Sequence, residues 1–220
     1  MPEELSNSPI LGQVPEKDTQ LLERLKRLSD GIFLLAMMLM VLQFDLPELA
    51  EKLSASQLRE FLRSELTALY IYFLTFILIA FYWLSHTHQF KFFVKTDGVH
   101  TWLTLFSLMF VVLVPYTNDL STLYPLNSDI QIFYSINLFL VGIFSWLSWC
   151  YGSVNHRLVS PELPPSEAQF ISIESLIEPI LCLLSIGASL LNPGYWEWTF
   201  YLIIPAYLLL SRKNQKKSEP

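Results

Sequence analysis

Long apolar runs, broken by prolines and short polar loops, restrict this chain more than any motif does. A hydrocarbon core of ~30 Å takes about 20 mostly apolar residues per helix. Six stretches approach or reach that length: residues 21–46, followed by Pro47, then 66–85, 99–116, 130–151, 170–191 and 196–210. Hydrophobic residues make up 52% of the 220 and charged ones 15%, where a soluble domain carries roughly 25% charged. The expectation is an all-α integral membrane protein with six transmembrane helices over 21–211. A disordered tail is expected over 1–20 and a basic tail over 212–220. The first 20 residues contain Pro2, Pro9 and Pro15 but no apolar signal-peptide core. The polar stretch over 45–65 is expected to lie at the membrane surface, and Pro115 is expected to close the third span.

An even number of spans puts both termini on one side. Eleven of the 14 Lys and Arg fall on that side, leaving Lys52, Arg59 and Arg63 on the other. Basic residues stay cytoplasmic, so both termini are expected inside, in a cell inner membrane. Trp83, Trp102, Tyr116, Trp196 and Trp198 fall near span ends, where an aromatic belt forms. Cys150 and Cys182 both lie in apolar runs, which is neither a disulfide framework nor a zinc pattern. No metal, cofactor or nucleic-acid partner is expected.

The first run holds the most specific pattern. Leu21, Leu25, Leu28, Ile32, Leu35, Leu39, Leu42 and Leu46 alternate in steps of four and three, an a/d repeat. The repeat passes straight through Ser29-Asp30, so that pair lies inside a helix rather than at its start. Ile32 also stands where a capping box needs Glu or Gln. A continuous helix over 21–46 is about 39 Å long. On it Asp30 lies about 200° from Leu28, on the opposite face, within reach of Lys26 and Arg27. The leucine stripe is either a packing seam against another span or a self-associating axis; spacing leaves both open.

Other polar residues sit inside apolar runs. His86 and His88 end the second, and His86 is a candidate partner for Asp30, since an unpaired charge near the membrane is costly. His88 is expected to face interfacial water. Glu174 and Glu178 share one face of the fifth run, and Asn137 is expected to bond across helices. There is no glycine-rich phosphate loop, no Gly-x-Ser-x-Gly and no His-Glu-x-x-His; the chain is not expected to be an enzyme. A carbonyl selectivity filter of the Thr-Val-Gly-Tyr-Gly kind is absent too, so side chains would have to line any ion path.

Arg24, Leu28, Ser29 and Asp30 fit the Arg-x-x-x-Phe-Ser-Asp hallmark of a known family, with Leu28 in place of Phe. The continuation GIFLLAMMLMVLQFDLPE, YWLSHTH at 82–88 and the third run are similar as well. The chain thus resembles transmembrane protein 175 and its prokaryotic relatives, potassium-permeable leak channels. The resemblance implies a homotetramer whose first helices line a central pore. It implies an apolar constriction at Leu35, with Leu39 and Leu42 as the next layers and Met38 flanking them where many relatives carry Thr. It further implies a supporting network of Arg24, Ser29, Asp30 and His86, with Trp83 beside it. The partners would be potassium and other monovalent cations, membrane lipid and further copies of the chain. Asp45, Glu48, Glu51, Asp119 and Asp129 would make the outer mouth negative. The alternative reading is a proton-coupled secondary transporter or proton pathway through Glu174, Glu178 and His86, which broken helices would favour. A non-conducting membrane scaffold is a third.

Overall fold

The computed structural model describes residues 16–44 and 54–218. Among the described residues every regular element is a helix. Helix α1 spans Glu16–Leu39 and tightens into a 3-10 turn over Met40–Gln43. It begins inside the stretch expected to be a tail and passes Ser29-Asp30 without interruption. The end of the leucine repeat at Leu46, together with Pro47, Asp45, Glu48 and Glu51, lies outside the described residues.

Three long helices follow, each with a side-chain cap. Helix α2 covers Ala55–Phe90. Ser54 caps it through Gln57, in the reciprocal arrangement that satisfies two otherwise orphaned backbone donors. Residues 55–65 form the first turns of this helix. Helix α3, Gly98–Leu123, starts where Asp97 accepts from the His100 backbone N–H at 2.9 Å. Helix α4, Ser128–Ser153, starts where Asn127 accepts from Ile130 at 3.2 Å.

The prolines behave unequally. Pro115 was expected to end the third span, yet α3 runs through it. Proline removes one i−4 hydrogen bond and crowds that carbonyl, but α3 is held from outside. Thr104 meets Ser148 at 3.1 Å, Ser107 donates to the Val141 carbonyl at 2.8 Å, and Asn137 donates to the Phe110 carbonyl at 3.3 Å. The last of these is the interhelical bond expected of Asn137. Pro179 and Pro205 do break the chain, each four residues earlier. The fifth run divides into α5, Pro165–Glu174, and α6, Ile177–Leu191. The sixth divides into α7, Trp196–Phe200, and α8, Ile203–Ser218. At the first break Ser175 turns its hydroxyl back onto the Ile171 carbonyl at 2.6 Å and accepts from Gln89 at 2.8 Å.

Four stretches are long and apolar enough to cross a membrane: Ala55–Phe90, Gly98–Leu123, Ser128–His156 and Pro165–Leu191. The first and sixth expected spans do not qualify among the described residues. Charges occupy the first half of α1, while the last run is cut at Tyr201-Leu202 and ends in the basic RKNQKK.

Helix α3 pairs with α4 and α4 with α6, while α1 lies mainly on α3. Close approach of α4 and α6 depends on Gly142, where an added Cβ would sit 2.7 Å from Pro179. Beyond the helix ends, the α2–α3 and α4–α5 loops join through a single antiparallel bridge, Phe93 to Val159. Val94 N–H donates to Leu158 O and Ser160 N–H to Phe92 O, both at 3.0 Å. Trp196, expected at the interface, is buried and donates to Ser135 Oγ at 2.9 Å.

A candidate ion-conduction surface on the first helix

Which way α1 faces is decided by burial. Leu22, Leu25, Ser29, Phe33, Ala36 and Met40 are buried, one stripe of three- and four-residue steps. The leucine repeat therefore divides. Leu25 is buried, Ile32 packs half-buried against the chain's own core and Leu39 is half-buried, whereas Leu21, Leu28, Leu35 and Leu42 are exposed. Leu35 is 48% exposed, Leu42 76% and Met38 63%. Leu34 and Val41 share this free face; the sequence reading missed both. The signal that would have found them is the opposing row Phe33, Ala36 and Met40, since residues about half a turn away from a buried row must lie outside.

Of the five network residues, the structure joins two. Trp83 Nε1 donates to Asp30 Oδ1 at 3.0 Å. Ser29 is fully buried and its hydroxyl donates to its own helix, at the Leu25 carbonyl. Lys26, expected to reach Asp30, pairs with Glu23 at 2.9 Å instead. Arg24 is exposed and joins neither Asp30 nor His86. His86 is buried between aromatic rings, 4.2 Å from Phe90 and 5.5 Å from Phe33, and its Nε2 has no hydrogen-bond partner. It does line the same open cleft of about 480 Å³ as Asp30, Lys26, Thr87 and Lys91.

The remaining polar residues also find partners. His88, expected to face water, meets Glu174 at 3.0 Å. The break at Ser175 separates Glu174 from Glu178, which is 2% exposed and accepts from the Tyr207 hydroxyl. Among the described residues no three His, Cys, Asp or Glu gather as a metal site would require.

Residues 24–115, from the middle of α1 through most of α3, match the family model described as the endosomal/lysosomal potassium channel TMEM175. Over that segment the chain is similar to the TMEM175 channels. A protein of Danio rerio named endosomal/lysosomal proton channel TMEM175 is 22% identical over 84% of this chain and 36% of its own length. One of Gallus gallus with the same name is 25% identical over 66% of this chain and 28% of its own. The chain thus spans about a third of these two relatives. A protein of Chryseobacterium sp. (strain P1-3), named a potassium channel, is 26% identical and comparable in length, with 89% of this chain and 96% of that one covered. The fold is that of a solved protein from Chamaesiphon minutus, described as a homolog of the lysosomal potassium-selective channel TMEM175. There the TM-score is 0.74, at 20% identity, over 87% of this chain and 98% of that one. The potassium channel MtTMEM175 matches with a TM-score of 0.58 at 18% identity, over 96% and 100% of the two chains.

Proposed function

We propose that this chain is one subunit of a potassium-preferring cation leak channel, with four copies surrounding an axis lined by α1. The observation that carries the reading is the free apolar face of α1. Leu35, Met38 and Leu42 are exposed on a helix whose other side is buried against its own chain. Exposed apolar residues on the other long helices suit lipid, whereas this row falls on the helix and at the positions that the family resemblance gives to the pore. In the assembly, α1 and the α7–α8 pair complete six crossings, and both termini lie in the cytoplasm of a bacterial cell.

Leu35 forms the narrowest ring and excludes water when the four helices stand close; conduction follows when they part enough for hydrated cations. Leu42 lines the next layers outward. Leu39, half-buried against its own subunit, contributes less than its place in the repeat suggests. Met38 offers a thioether, a poor ligand for a hard cation, so preference for potassium over sodium is modest. Asp119 and Asp129 make the outer entrance electronegative. Asp30, tied to Trp83, fixes the azimuth of α1.

Potassium flux into liposomes, with currents in planar bilayers, tests the reading. Leu35→Ala and Leu35→Asn are expected to raise basal conductance; currents unchanged by both remove Leu35 from the pore. Proton-coupled transport through Glu174, Glu178 and His86 remains the second reading, favoured by the broken helix beside the two carboxylates. His86 is hydrogen-bonded to neither of them, which weighs against it as a single pathway. Saturable, pH-coupled flux without single-channel steps would establish it.

A further inference from the structure

Glu178 occupies an unusual place for a carboxyl group. It lies in the first turn of α6, within a stretch long and apolar enough to cross the membrane, and is 2% exposed. The groups around it come from every neighbouring element. Helix α8 supplies Tyr207, whose hydroxyl donates to Glu178 and also meets Ser85 of α2. Helix α2 further supplies Tyr82, which donates to the Leu138 carbonyl and touches Cys182 one turn along α6. Helix α4 presents Gly142, against Pro179. Toward the end of α2, His88 is held by Glu174 across the helix break. The ring of Phe81 stacks on Tyr207 at 5.1 Å and closes the junction.

The one group here that can carry positive charge is His88, and its partner is Glu174. The ion pairs of the described residues are Lys26 with Glu23 and His88 with Glu174, and neither reaches Glu178. An ionised carboxylate buried with neutral donors alone carries a desolvation cost that a hydroxyl and a backbone N–H offset only in part. A protonated one avoids that cost, since the neutral carboxyl is far less strongly hydrated and can still accept from Tyr207.

We propose that Glu178 is a proton-binding site inside the subunit, at the junction of α2, α6 and α8. It takes up and releases a proton within the membrane. The His88–Glu174 pair, half-buried and one turn nearer the helix end, is the relay toward water. The inference goes beyond the channel reading and depends only on the chain being membrane-embedded. It stands or falls without any measurement of current.

Difference infrared spectroscopy on the full-length protein in liposomes tests it directly. A C=O stretch of a protonated carboxyl that titrates with pH and disappears in Glu178→Gln is expected. Tyr207→Phe should keep that band and shift its frequency, so the assignment is readable even where Glu178→Gln accumulates poorly. A band indifferent to both substitutions, or no carboxyl band that titrates with pH, overturns the proposal.

Discussion

The indole N–H of Trp83 reaches Asp30 across 3.0 Å and ties α1 to α2. Below that bond α1 is charged and above it almost wholly apolar. An apolar rod packed among apolar neighbours has little to set its rotation about its own axis. A directional bond to a carboxylate does, because it weakens steeply with misalignment.

Losing the donor should therefore loosen α1. Trp83→Phe is expected to cost about 1 kcal/mol, read as a lower melting temperature in detergent. Asp30→Asn keeps an acceptor oxygen and should cost less than Asp30→Ala, which should also reduce the oligomer fraction in mass measurements. Asp30→Ala with unchanged melting and unchanged mass would show that the bond fixes nothing.

The divided leucine repeat predicts a difference between its two rows. Leu35 and Leu42 are free, while Leu25 is buried. Leu35→Ala should raise basal conductance several-fold with little change in thermal stability. Leu25→Ala should do the reverse, with a loss of about 2–5 kcal/mol from the cavity it leaves. Equal effects of the two on stability would contradict the burial pattern.

At Met38 the prediction concerns ion preference. Met38→Thr places a hydroxyl oxygen on the free face, a better ligand for a hard cation than sulfur. Under bi-ionic conditions the reversal potential should move toward greater potassium preference. No movement, with conductance intact, would take Met38 off the ion path.

Gly142 tests the packing of α4 on α6. Gly142→Ala puts a Cβ 2.7 Å from Pro179 Cγ and should destabilise by about 1–3 kcal/mol through overpacking. Gly98→Ala is the control, because a Cβ there meets nothing within 4 Å. A similar melting temperature for both variants would mean that α4 and α6 separate without cost.

Much of this architecture can be read in the residues. The starts of α3 and α4 follow from Asp97 and Asn127, whose side chains satisfy the first free N–H groups. The continuity of α1 through Ser29-Asp30 follows from the unbroken leucine spacing. Periodicity, however, gives the angle between residues and not the direction of the core. It placed Leu35 and Leu39 on one stripe, yet packing exposes one and half-covers the other. The prolines show the same limit. Pro115, Pro179 and Pro205 remove the same bond, yet only α3 runs through its proline; there Ser107 and Asn137 bond across between α3 and α4 beside the turn that loses the bond. The pairing of Trp83 with Asp30 links residues 53 positions apart, a separation no local pattern encodes.

The break before Pro179 also bears on how the chain enters the membrane during synthesis. Helix α5 has 10 residues and α6 has 15, each shorter than the about 20 needed to cross. Neither can be recognised as a span alone, so the insertion machinery must accept Pro165–Leu191 as one hinged unit. A substitution that lowers the apolarity of either half should leave both outside, and Glu178 would then never reach the bilayer interior.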